Sequence, residues 1–282
     1  MTQPPDDRQP RPVEHYENFP VASWLCPPRL RRPVAAIYWF ARTADDIADE
    51  GSATVEERRA DLLTYRNDLK ACLSGNAGSL RWSGVFAALA TAARDFALPP
   101  QPLFDLLDAF GQDVEQTAAR AGYADRGELL DYCRRSANPV GRLLLHLYGV
   151  ADAQSLAQSD AICSALQLIN FWQDVSVDLP RGRYYLPADD CRRHGFTPQA
   201  PSPDALPALV AELCEWSRAL MLSGAPLVHR VPGRAGWELR LVVQGGLRIL
   251  ERIEAIGHRT HERRPTVGAR DLPPMLWAAA RM

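Results

Sequence analysis

Lysine is almost missing from this chain: Lys70 is the only one in 282 residues. A Schiff-base lysine or a Walker phosphate loop therefore has almost no candidate. Nearly all positive charge is arginine, the better fork for phosphates and carboxylates. No excess of one charge sign is present either: the formal net charge is −2, which points away from nucleic acid as the main partner. The six cysteines, Cys26, Cys72, Cys133, Cys163, Cys191 and Cys214, form no C-x-x-C pair. They read as core residues of a reduced, cytoplasmic protein. No run reaches the roughly 18 apolar residues of a membrane span. The opening "MTQPPDDRQPRPVEHYEN" lacks the apolar core of a signal peptide, and residues 1–15 read as a loose tail. Serine elbow, G-x-G-x-x-G and paired histidine–cysteine spacings are all missing.

Strand signals are poor, whereas helical periodicity recurs. The spacing predicts helices over about 28–50, 54–74, 81–97, 101–120, 126–148, 156–178, 204–224, 235–258 and 270–281. Gly51 is a stop signal for the first, and T-V-E-E at 54–57 offers a capping box for the second. Pro139 should kink the fifth. The stretch 179–198, punctuated by proline and glycine, reads as loop. Residues 16–282 are thus expected to form one all-helical domain.

Two apolar helices carry a polar line. Tyr38, Arg42, Asp45 and Asp49 fall within an arc of about 60° on the first. Gln167, Asn170, Asp174 and Asp178 fall within about 80° on the sixth. A single D-x-x-x-D usually marks a solvated helix face. Two of them, each ending an apolar helix and each continued upstream by polar side chains, ask for a partner, because buried carboxylates are costly unless paired or metal-bound. Magnesium takes hard oxygen ligands and commonly bridges one or two carboxylates to substrate phosphates. Two facing aspartate lines suit magnesium around a diphosphate, with Arg42 as a fork on the same oxygens. Asp46 lies about 100° from Asp45, so spacing alone leaves open whether it binds metal or orients a ligand.

The motifs "YWFARTADDIADE", "LQLINFWQDVSVDLPRGRYYLP" and "DYCRRSANPVG", in that order, resemble the squalene and phytoene synthase family over roughly residues 16–265. The likeness is greatest to its bacterial hydroxysqualene synthase subgroup, through "ENFPVASWLCPPRLRRPVAAIY", "TADDIADEG" and "YCRRSANPVGRLLLHLYG". The resemblance implies an all-α isoprenoid-synthase bundle around a central cavity, with magnesium-bound diphosphate at its mouth. It assigns Asp45, Asp46 and Asp49 to the first aspartate motif and Asp174 and Asp178 to the second. Asn170 joins them as a metal ligand. Tyr38, Arg42, Gln167 and Asn170 match the polar residues upstream of the motifs, as contacts to diphosphate or metal-bound water. Tyr38 orients the diphosphate end or faces the cation. Arg181, Arg183 and Tyr184 match the loop after the second motif, and Arg264 a late arginine near the diphosphate, although the lysines that often follow it are missing.

The departures matter as much. Condensing members often carry a serine-phenylalanine pair where this chain has Asn18-Phe19, so Asn18 becomes a candidate substrate contact. "YCRRSANPVG" keeps Tyr132 and Cys133 of the family pattern but departs at Arg134, Ser136, Asn138 and Pro139. Tyr132 could face a carbocation, and Asn138 could hold a water that quenches it; core packing is the competing reading for both. The expectation is therefore magnesium-dependent conversion of presqualene diphosphate and water to hydroxysqualene, without a nicotinamide cofactor. Upstream and downstream enzymes of squalene synthesis would be its partners. Head-to-head condensation of two prenyl diphosphates and a non-catalytic assembly role are the alternatives. A greasy substrate leaves contact with the inner membrane surface open, though no segment shows an obvious membrane-binding face.

Overall fold

The computed structural model describes residues 25–198 and 204–282. The tail expected at 1–15, and Asn18, lie outside the described residues. The fold is all-α. Among the described residues, strand pairing is limited to one isolated parallel bridge between Gly122 and Tyr184.

The helices α1 (Pro28–Asp49), α2 (Val55–Leu73), α3 (Ser83–Phe96) and α4 (Gln101–Ala119) build the first half. Gly51 follows α1 at φ +74°, a conformation that favours glycine. The capping box forms as the sequence predicts: Thr54 Oγ1 accepts from the Glu57 amide, and Glu57 accepts from the Thr54 amide. Leu30, Ile37 and Phe40 of α1 meet Tyr65 and Leu69 of α2 and Leu103 of α4, all with no exposed surface. Burying each such side chain contributes roughly 1.5–3 kcal/mol before entropy is counted. The Tyr65 hydroxyl donates to the Phe40 carbonyl at 3.0 Å, which satisfies the one polar atom of that cluster's tyrosine.

The segment predicted as one kinked helix over 126–148 is two. Helix α5 (Arg126–Ser136) stops, Ala137 stands between the two at φ −118°, and α6 (Asn138–Leu147) begins anew. Pro139 occupies the first turn of α6, where its missing N–H costs nothing, rather than the interior of a longer helix. Helix α7 (Ala153–Gln173) starts from Asp152, whose side chain accepts from the Ser155 amide at 3.0 Å. It ends one residue before Asp174, and α8 (Val175–Asp178) follows. The continuous helix expected to 178 is therefore interrupted at Asp174 itself. The expected loop at 179–198 contains α9 (Ala188–Arg193). Helices α10 (Leu206–Gly224), α11 (Arg234–Ala255) and α12 (Leu272–Ala280) complete the chain.

Helix α7 is the axis of the second half. It packs most extensively on α10, and also on α6 and α11. Its Leu168, Ile169 and Trp172 join Leu209 and Leu213 of α10 and Val243 of α11 in one core. The Trp172 indole donates to Ser217 Oγ at 2.7 Å. The two polar-line helices thus belong to different cores, with α4, α5 and α6 between them.

Candidate active site

The packing of α1 explains its polar line. Ile37, Phe40, Ala44 and Ala48 are buried, while Tyr38, Arg42, Asp45, Asp46 and Asp49 keep part of their surface. The same holds along α7 and into α8: Leu168, Ile169 and Trp172 are buried, and Gln167, Asn170, Asp174 and Asp178 are half-buried. Tyr38 stands one turn before Arg42, edge-on to Trp39 at 5.1 Å between ring centres.

Arginines counter the carboxylates. Arg42 spans Asp45 and Asp46 on its own helix, at 2.9 Å to each. Burial raises the Asp46 pKa even so. Arg183 reaches Asp49 at 2.8 Å across the gap between halves. Gly182, at φ +76°, supplies the turn that sends Arg183 back toward α1, and the Arg183 amide donates to the Asp178 carbonyl at 3.0 Å. Arg264, in the segment after α11, pairs with Asp174. That segment is fastened to the end of α7 by Gln173, whose amide donates to the Pro265 carbonyl at 2.6 Å. Arg181 is exposed but close enough to Asp178 to act on its charge. Burial first, and then Asp174, push the Asp178 pKa up to about 7, with Asp49 adding to the effect and Arg183 opposing it. The ends of α1 and of α7–α8 therefore share one electrostatic site with Arg183 between them.

Two positions carry contacts that spacing does not contain. Tyr184 pairs with Gly122 through the backbone bridge and is buried. Its neighbour Tyr185 is the ring that turns to α7, stacked on Phe171 at 3.8 Å and an interplanar angle of 6°. Tyr184 and Tyr185 both line the small concavity beside Asp113 and Arg183. Asn138 is also occupied otherwise: it is buried at the start of α6, and its Oδ1 accepts from Ser164 Oγ of α7 at 2.9 Å. Its side-chain carbonyl thus ties two helices together.

Tyr132 lies beside Phe171, Tyr185 and Tyr123, with ring centres 5.4–6.3 Å away. Its hydroxyl donates to Asp113 of α4 at 2.8 Å. Sequence reasoning missed Asp113. It keeps a little surface toward a concavity yet is surrounded by protein, and burial, with Asp49 and Asp45 adding, pushes its pKa up to about 8 against the Tyr132 hydrogen bond and Arg183. A signal was present: Leu106, Ala109 and Asp113 share one face at i, i+3 and i+7, so a carboxylate continues a buried apolar stripe.

Among the described residues, no three histidine, cysteine or acidic groups gather closely enough to cage a metal. The donor set fits magnesium held another way. Hard carboxylate oxygens stand on two separate helix ends, each able to give one or two ligands while a bound diphosphate supplies the rest. Asp45, Asp46, Asp49, Asp174 and Asp178 would hold it, and the raised pKa values of Asp46 and Asp178 mark where positive charge would be welcome.

Fold and site together define an all-helical enzyme class in which two aspartate-bearing helix ends face a shared polar site. The squalene/phytoene synthase family model matches residues 13–271, and the chain belongs to that family. It is 35% identical over 255 residues to the hydroxysqualene synthase of Rhodopseudomonas palustris, covering 87% of this chain and 83% of that one. The hydroxysqualene synthase of Sinorhizobium fredii is 40% identical over 178 residues, 63% of this chain and 57% of that protein, so this match spans little more than half of the relative. The presqualene diphosphate synthase of R. palustris is 30% identical over 80% of this chain and 81% of its own. The crystal structure of squalene synthase HpnC from Alicyclobacillus acidocaldarius superposes with a TM-score of 0.77 at 34% identity, covering 86% of this chain and 90% of that one.

Proposed function

We propose that this enzyme converts presqualene diphosphate and water to hydroxysqualene and diphosphate. The observation that carries the reading is the pair of half-buried aspartate lines, each countered by an arginine, in a chain 35% identical to a hydroxysqualene synthase over 87% of its length.

Arg42, Arg183 and Arg264 hold carboxylates in the substrate-free protein, and each can turn its fork to diphosphate oxygens. Gln167 and Asn170 lie upstream of Asp174 on the same α7 face and offer amides to the same end of the substrate. Magnesium, when bound by Asp45, Asp46, Asp49, Asp174 and Asp178, supplies positive charge that offsets the charge building on the leaving diphosphate. Charge stabilisation at preset positions gives the main barrier reduction. Tyr132, Phe171 and Tyr185 present a wall of rings to the hydrocarbon, where a cation over an aromatic face gains about 2 kcal/mol when desolvated. No nicotinamide is needed, because ionisation, rearrangement and capture by water involve no net reduction. The enzymes that make presqualene diphosphate and consume the alcohol are the partners this chemistry implies. Among the described residues no helix is long and apolar enough to cross a membrane.

The test is a product assay with purified protein, presqualene diphosphate, magnesium and heavy-oxygen water, without nicotinamide, read by mass spectrometry. A C30 alcohol carrying the heavy oxygen is expected. No conversion, with consumption of farnesyl diphosphate in a parallel reaction, would move the enzyme to the condensing branch. Inertness to both would leave an assembly role.

A further inference from the structure

A small polar cavity lies beside the aromatic wall. It is lined by Asp113, Gln116 and Thr117 of α4, by Tyr123, and by Arg183, Tyr184 and Tyr185 from the loop after α8. It offers about 10 Å³ to the centre of a water-sized sphere, which is room for one water. Asp113, Gln116 and Thr117 meet there because i, i+3 and i+4 share a helix face. The bridge between Gly122 and Tyr184 sets the opposite wall: a Cβ on Gly122 would stand 2.8 Å from the Tyr184 carbonyl oxygen, so only glycine allows the approach.

The chemistry of the lining is unusual for so small a space. Gln116 Oε1 is buried without a hydrogen-bond partner. The Tyr123 hydroxyl, on a residue only 2% exposed, makes no well-formed hydrogen bond, although the Gln112 side chain lies near enough to act on it. Leaving a buried polar group unsatisfied is costly, and a water needs two to four polar neighbours. An acceptor on Gln116, a donor-acceptor on Tyr123 and the carboxyl of Asp113 satisfy both requirements with a single water. Asp113 and Tyr185 also touch the other side, through the Tyr132 hydroxyl and the stack on Phe171.

We infer that this cavity holds the water that captures the carbocation, in the grip of Asp113, Gln116 and Tyr123. The inference rests on the hydroxysqualene reading. A lone pair of the water oxygen forms the C–O bond to the cationic carbon, and the proton it sheds passes to the Asp113 carboxylate. Atoms and charge balance: cation, water and carboxylate give neutral alcohol and carboxylic acid. The raised pKa of Asp113 makes it a stronger proton acceptor than an exposed carboxylate. Water is thereby kept at one edge of a site that must otherwise exclude it, since a cation exposed to free solvent would be quenched before it rearranges.

The experiment compares wild type with Tyr123→Phe and Gln116→Leu, using presqualene diphosphate and magnesium in heavy-oxygen water at about pH 8, where the carboxylate form of Asp113 is populated. The readout is the share of hydroxysqualene among all products from consumed substrate. It is independent of how much enzyme is folded. Each variant is expected to lower that share at least about threefold, in favour of hydrocarbons formed by proton loss and alcohols of other position or configuration. Leu106→Val, a packing change on the same helix, is the control for general loosening and should leave the share in place. Wild type making the labelled alcohol while both variants keep its share would overturn the water site and leave the proposed function standing. Wild type making no alcohol would overturn both.

Discussion

The guanidinium of Arg183 lies 2.8 Å from the carboxylate of Asp49, and this contact joins the loop leaving α8 to the last turn of α1. Arg183 is the more enclosed partner, with 16% of its side chain exposed against 29% for Asp49. The arginine sits between carboxylates from both halves of the molecule: Asp49 and Asp113 on one side, Asp178 on the other. It can serve the substrate-free protein as a counter-charge and the loaded one as a diphosphate fork.

Arg183→Lys tests this double duty. Lysine keeps the charge but loses the planar fork and presents a single point of charge. The variant should fold and retain its melting temperature within a few degrees, since lysine keeps the positive charge among Asp49, Asp113 and Asp178. Its kcat/KM for presqualene diphosphate should fall about 100-fold, the equivalent of roughly 2.7 kcal/mol of transition-state binding. Steady-state diphosphate release measures it, and a loss of less than about threefold would remove Arg183 from the diphosphate site.

Asp45→Asn and Asp174→Asn address the two helix ends separately. Each removes one negative charge and keeps the shape, and each aspartate is partly exposed and paired with an arginine. Turnover should drop at least about 1,000-fold in either variant, because both ends are needed to hold the charge of one diphosphate. Far-ultraviolet circular dichroism and the melting curve should stay close to wild type. Activity above about a tenth in either variant would take that carboxylate out of the metal set.

The helical fold and the two polar lines were legible because both are matters of period. Apolar residues on the buried faces of α1 and α7 repeat every three or four positions, and Tyr38, Arg42, Asp45 and Asp49 interrupt that rule on one face only. What period does not carry is the joining of distant segments. The pairings Arg183–Asp49 and Arg264–Asp174 depend on how α1, α8 and the loop after α11 come together, and no local spacing contains that. The break at Ala137 was hidden for a related reason: a proline signal cannot by itself separate a kinked helix from a new helix with proline in its first turn. The placing of Tyr184 rests on such a meeting too, since its backbone bridge is to Gly122, far away in sequence. Asp113 was legible by the rule applied to α1 and was missed because its stripe holds a single carboxylate.

The position of α7 depends on Gly224. Helix α10 approaches so closely there that a Cβ would stand 2.5 Å from the Gln158 carbonyl oxygen and 2.7 Å from a side-chain carbon of Ile162. One of these is backbone and cannot yield without moving α7. Gly224→Ala should therefore destabilise the fold by about 1–3 kcal/mol despite alanine's better helix propensity. Urea unfolding followed by circular dichroism measures this, and an unchanged or raised midpoint would show that the helices do not meet so closely.

Asp113 gives the stability of the protein a defined dependence on pH. Its pKa is about 8 in the fold, set by burial first and then by Asp49 and Asp45, against an ordinary value of 3.8. Between those values the native state binds a proton that the unfolded chain has released, so stability falls as pH rises through this window. The penalty is absent below about pH 4 and complete above about pH 8. Asp113→Asn keeps an oxygen to accept from the Tyr132 hydroxyl but has no proton to lose. The variant should gain on wild type as pH rises, from no difference near pH 4 to at least about 1 kcal/mol near pH 8.5. Asp178 titrates in both proteins and drops out of the comparison. Urea midpoints at about pH 5 and about pH 8.5 measure the gap. A gap that stays constant or narrows with rising pH would mean that Asp113 carries its charge in the fold as readily as in water.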